Sequence, residues 1–173
     1  MKRIALAVAV VLGMSLAGKA QAQSCTTTPS CSVNASVSVT VPQILRLTLS
    51  TTTATLTAPT ETDFNAGNLQ EAGASLTATV KSNKPWNLSV KSNAANWDTA
   101  PLGGSKLASD LQWSKTNGSG YVGLTTSAAN VYGSNQAATG SSVTSFFFNT
   151  LYSYANDIPG AYSITVIFTV TAP

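Results

Sequence analysis

Ser32–Ser50, SVNASVSVTVPQILRLTLS, is the stretch on which the fold turns. Val33, Ala35, Val37, Val39, Val41, Leu45, Leu47 and Leu49 share one parity, while Ser32, Asn34, Ser36, Ser38, Thr40, Arg46, Thr48 and Ser50 share the other. A repeat of two puts these sets on opposite faces of an extended chain, one wet and one in need of a cover. Fully burying a valine is worth roughly 1.5–3 kcal/mol, so Val33, Val37, Val39 and Val41 together represent about 6–12 kcal/mol, comparable with the stability of a whole domain. Pro42 has no amide hydrogen and interrupts any ladder at its position. At about 3.3 Å per residue, an unbroken strand over the whole stretch would exceed ~50 Å, too long for one straight strand of a compact domain. Either the two halves serve the two sheets of a sandwich in turn, or one half reaches into a neighbouring molecule.

Ahead of this stretch, Lys2 and Arg3, the apolar run Ile4–Leu12, a small-residue segment and Ala20-Gln21-Ala22 follow the order of a secretory signal peptide, with cleavage expected after Ala22. A membrane anchor would need about 20 continuous apolar residues. Gly13, Ser15, Gly18 and Lys19 interrupt the run, and no later stretch is long and apolar enough to span a bilayer. The mature product is therefore expected to be secreted to the extracellular side or cell surface, through the periplasm in a Gram-negative host, with no transmembrane segment. Without residues 1–22, the basic residues Arg46, Lys81, Lys84, Lys91, Lys106 and Lys115 balance the acids Glu61, Asp63, Glu71, Asp98, Asp110 and Asp157. No basic footprint for nucleic acid remains. A surface poor in charge and rich in Ser, Thr and Asn favours association.

Cys25 and Cys31 are the only cysteines, and in an exported chain they read as one small disulfide ring. With no histidine anywhere, two thiols do not complete a zinc shell, and neither metal nor cofactor is expected. The expected organisation is a signal peptide over 1–22, a short segment with the ring over 23–31, and a single domain over 32–173, large enough for a genuine core.

Along the rest of the chain, Thr55–Thr57 reads as a short edge strand ended by Pro59. Leu76, Ala78 and Val80 alternate, and the same parity resumes at Trp86, Leu88 and Val90, allowing either one bulged strand or a hairpin. Residues 93–109 read as loop. Leu111–Trp113 and Tyr121–Leu124 flank Asn117-Gly118, a strong hairpin signal. Residues 125–142 read as a long surface loop, and Val143–Tyr152, apolar on both parities around Phe146–Phe148, reads as a central strand. The last segment alternates Tyr162, Ile164, Val166, Phe168 and Val170 against Ser163, Thr165, Thr169 and Thr171. Seven or eight strands without a helical repeat predict an all-β, antiparallel, immunoglobulin-like β-sandwich.

Chemistry-bearing residues are sparse. Histidine, the commonest base near neutrality, is missing, and Asp98, Asp110 and Asp157 sit beside turn-forming residues, where an exposed loop role is expected. Glu61, Asp63, Asn65 and Gly67 carry every-second-residue oxygens like part of a calcium loop, without its glycine at the sixth or glutamate at the twelfth position. Trp86 and Trp113 read as core, whereas Trp97 and Tyr132, in loop-like surroundings, are the candidates for sugar contact. Asp157–Tyr162 resembles the tyrosine corner of immunoglobulin-like sandwiches, a stabilising turn.

The closing segment GAYSITVIFTVTAP resembles the C-terminal strand of bacterial pilin-type sandwiches, including the spore-coat-U group. The resemblance implies that Gly160, Tyr162, Ile164, Val166, Phe168 and Val170 form an acceptor edge. It implies equally that Val33, Val37, Val39 and Val41 are the knobs of a strand donated to the next subunit, through main-chain pairing to a free ladder with side chains in a row of pockets. The expectation is a non-enzymatic structural or adhesive surface protein, a pilus or fibre subunit whose partners are further copies or related subunits. The alternative is a monomeric sandwich that binds extracellular carbohydrate.

Overall fold

A computed structural model of the chain describes residues 24–26, 28, 30–100 and 106–173, with only the backbone at Thr99 and Ala100. The signal peptide expected over 1–22 lies outside the described residues. The chain divides into two units, Met1–Thr40 and Val41–Pro173. In the first, a Cys25–Cys31 disulfide joins Cα atoms 5.9 Å apart. No strand or helix falls between Ser32 and Thr40, and Val37 and Val39 are 93% and 85% exposed. The expected first strand is thus half right: the alternating row ahead of Pro42 has no ladder, and pairing begins at Leu45.

The second unit contains β1 (Leu45–Leu49), α1 (Glu61–Ala66), β2 (Asn68–Gln70), β3 (Leu76–Ser82), β4 (Asn87–Ser92) and β5 (Asp98–Ala100). A 3-10 turn (Ala108–Asp110) leads into β6 (Leu111–Ser114), β7 (Val122–Gly123), β8 (Ala129–Asn130), β9 (Thr139–Leu151), β10 (Ala161–Ser163) and β11 (Val166–Thr171). All strand pairings are antiparallel: one sheet runs β1-β3-β9-β6-β7 with β2 also on β9, a second runs β11-β4-β8, and β10 pairs β5. The all-β antiparallel class read from the sequence is the observed one.

The two larger sheets face each other across a core that alternation builds directly. Leu76, Ala78 and Val80 of β3, Leu88 and Val90 of β4, and Phe146 and Phe148 of β9 point inward, joined by Trp86, Leu111, Trp113, Leu124 and Val131. Phe146 meets Phe168 of the opposite sheet edge to face at 4.8 Å, a favoured aromatic geometry. Trp86 and Trp113 are core, as their sequence setting implied. Ser82–Pro85 makes neither a bulged continuation nor a hairpin, because β3 and β4 belong to different sheets and the turn crosses between them.

Other local differences have local causes. Thr55–Thr57 is not a strand: Glu71 takes its polar groups instead, accepting from Thr57 N at 2.7 Å and Thr57 Oγ1 at 2.9 Å. The calcium-like spacing at Glu61–Gly67 is a single helix, started by Asp63 accepting from Thr60 N and Oγ1 and ended by Gly67 at φ 76°, the left-handed position that favours glycine. The loop read over 125–142 contains β8 and the start of β9.

Candidate functional site: an open seam between two sheet edges

Among the described residues, β1 ends one sheet and β11 ends the other, and each pairs on one side only. Ser50 N donates to Thr77 O and Asn83 N to Ile44 O, so Ile44, Arg46, Thr48 and Ser50 aim their backbone groups at β3. Alternation then aims those of Leu45, Leu47 and Leu49 along the free edge. Asn93 N donates to Thr165 O, so by the same rule Val166, Phe168 and Val170 present theirs along the free edge of β11. The six residues whose backbone is unsatisfied by a neighbouring strand are also the six whose side chains face the core.

These side chains are incompletely covered. Leu45, Leu47 and Leu49 are half-buried, as are Val166, Phe168 and Val170, although all pack against the core cluster. Their neighbours one strand further in, Ala78, Val80, Leu88 and Val90, are closed off from solvent. A cleft of about 770 Å3 opens beside part of these edges: Leu49, Val166 and Phe168 line it together with Leu56, Leu76 and Ile164, whereas Leu45 and Leu47 do not. Of the expected acceptor edge, Gly160, Tyr162, Ile164, Val166 and Phe168 line the cleft; Val170 lies further along the same strand. Tyr162 donates its hydroxyl to Ile158 O at 2.6 Å, the backward bond of a tyrosine corner.

A buried ion pair forms one wall. Lys106 Nζ lies 2.7 Å from Asp157 Oδ1, with side chains 2% and 8% exposed, and also donates to Leu151 O. Asp157 Oδ2 accepts from Ser153 N at 2.7 Å. The ammonium stands 4.4 Å over the Tyr152 ring, and burial pushes the Tyr152 phenol above its ordinary range. Asp157 is therefore not the exposed turn residue its neighbours suggested. Nothing near Lys106 in the sequence marks it as buried; a lone lysine after Gly103-Gly104-Ser105 has no local signature of a partner 51 positions away.

The remaining candidates do not converge. Trp97 is half-buried against the core and lines the cleft. Tyr132, half-buried at another place, stacks edge-on against Trp86, bonds Thr144 Oγ1 through its hydroxyl and carries Lys115 Nζ 4.6 Å over its ring. Asp110 accepts from Leu107 N within its own turn, and Asp98 lies in β5. Among the described residues, no group of three or more His, Cys, Asp or Glu side chains gathers in one place, and no helix is long and apolar enough to cross a membrane. Comparison with known proteins found no matching family model and no matching characterised sequence.

Proposed function

We propose that the protein is an exported, non-enzymatic structural or adhesive surface component, an immunoglobulin-like subunit that joins further copies by β-strand donation. Ser32–Val41 of one copy lies in the seam of the next, its valines covering the half-buried residues of β1 and β11. The observation that carries this reading is the match of two deficits in one chain. The seam has two free edges and a partly covered apolar lining, while the alternating row has an apolar face and no ladder. A small molecule would fit a cleft of this volume, but it would leave both rows of backbone groups unpaired. A strand satisfies both at once.

Donation to a second copy is favoured by the Asn83 clamp. Asn83 Oδ1 accepts from Ile44 N at 2.8 Å and its Nδ2 donates to Pro42 O at 2.8 Å, while Asn83 N pairs with Ile44 O. Pro42–Ile44 thereby continues the line of β1. A reversal laying Ser32–Val41 along β1 of the same copy would have to break these bonds within three residues.

Electron microscopy of the secreted protein tests the proposal. The full mature chain should form fibres and a chain lacking Ser32–Val41 should not, while keeping its β-sheet circular dichroism in the presence of a co-expressed periplasmic chaperone. Fibres from the deleted chain would overturn it.

A further inference from the structure

We infer that the Cys25–Cys31 ring is the register stop of the donated strand. The inference rests on the donation reading above and deepens it by saying what fixes the position of the donor in the acceptor.

The valine row alone specifies parity but hardly position. A slip of one residue turns every apolar side chain outward and is barred. A slip of two returns Val33, Ala35, Val37 and Val39 to the pockets just vacated by Ala35, Val37, Val39 and Val41, changing only the order of Val and Ala. Of these four pockets one trades an alanine for a valine, one a valine for an alanine, and two see no change. Pairing of backbone groups is equally indifferent, because it repeats every two residues.

The flanks break this degeneracy. The next residue of inward parity on the C-terminal side is Gln43, beyond Pro42, so drawing the row one step further brings a polar side chain to an apolar pocket and a residue without N–H to the ladder. On the N-terminal side the next inward residue is Cys31, which is bonded to Cys25. On the donation reading the seam takes a single chain, with neighbouring strands spaced about 4.8 Å apart. The ring carries two passes of chain whose Cα atoms are 5.9 Å apart at the disulfide, and it cannot enter a slot for one. It ends directly before Ser32, with no spacer. Opened by reduction, Ser30 and Cys31, the two residues that a slip of two requires, form a single strand-wide chain that could precede Ser32 in the seam.

Photo-cross-linking of assembled full-length mature protein tests this, with a diazirine amino acid in place of Val39 and cross-linked peptides mapped by mass spectrometry. With the ring intact, the intermolecular cross-links should fall on one position of the acceptor strands. In the Cys25→Ser/Cys31→Ser chain, a second set two residues away should appear at a yield within about fivefold of the first. A chain with the ring intact but Thr-Val inserted between Cys31 and Ser32 should show the same second set, which removes dependence on how the serine variant behaves. A single unchanged position in both altered chains would overturn the register stop while leaving strand donation standing. Absence of any intermolecular cross-link in the unaltered chain would overturn donation itself, and the stop with it.

Discussion

The closed and open halves of this core are built from the same residue types and differ only in what lies beside them. Ala78, Val80, Leu88, Val90 and Phe146 have a strand on either side and the opposite sheet above, and they are sealed from water. Leu45, Leu47, Leu49, Val166, Phe168 and Val170 obey the same alternation on strands with one neighbour, and they remain partly exposed. Inward-pointing parity selects the face a side chain occupies, but burial also requires a neighbour in the sheet. The chain supplies that neighbour's pattern, Val33 to Val41, without pairing it.

The contrast is broken most severely from the closed side. Phe146→Ala should cost about 3–5 kcal/mol, the range for emptying a sealed aromatic site. Phe168→Ala, its partner across the sheets, should cost less, about 2–3 kcal/mol in the unassembled subunit, because part of its area is already wet. Urea unfolding of both measures the difference, and filling the seam should enlarge the Phe168 effect. Next in size is the wall: Lys106→Met leaves the buried Asp157 carboxylate without its cation and should lose about 3 kcal/mol, whereas Lys106→Met with Asp157→Leu should recover most of it. A double-mutant cycle by thermal unfolding checks this.

Smaller losses sharpen the picture from the open side. Asn83→Ala removes the clamp on Pro42–Ile44 and should cost about 1 kcal/mol, accompanied by faster amide exchange at Ile44. Val37→Asp, at a site 93% exposed, should leave subunit stability within about 0.5 kcal/mol while abolishing fibres, a separation that sedimentation and unfolding measure together. Last comes α1. The bonds from Thr60, first its hydroxyl and then its backbone N–H, hold the Asp63 carboxyl below the ordinary range. A depressed carboxyl contributes stability that is present above its unfolded value and lost as pH falls through its folded value. Helix protection should therefore decline in acid and become independent of pH in Asp63→Asn, read from amide exchange over Glu61–Ala66.

How much of this was legible follows from the range of the forces involved. Strand parity is local, so β3, β4, the Phe146–Phe148 strand and the alternating tail could be read from residue order, and with them the inward face. Sheet membership is not local. Nothing in Ser82–Pro85 says whether the chain turns back beside itself or crosses to the other sheet, and β1 and β11 reveal themselves as edges only once every pairing is known. Side-chain capture of backbone is equally hard to foresee: Glu71 reaching Thr57, or Asp63 starting a one-turn helix in a calcium-like spacing. Val166, Phe168 and Val170 of the last segment could be read as one face because they alternate. The Lys106–Asp157 wall was missed because its members are far apart in sequence and each is ordinary in its own surroundings.

Amide exchange at the six edge residues tests the central claim most directly. In the mature chain carrying Val37→Asp, so that its own row cannot donate, the amides of Leu45, Leu47, Leu49, Val166, Phe168 and Val170 should exchange rapidly while those of Arg46, Thr48, Ile167 and Thr169 are protected. Adding a synthetic peptide of Ser32–Val41 should slow the six by at least about tenfold at saturation and raise the unfolding temperature. If the six are already protected in the free subunit, or if the peptide binds without slowing them, the seam is not a vacant strand position and the account fails.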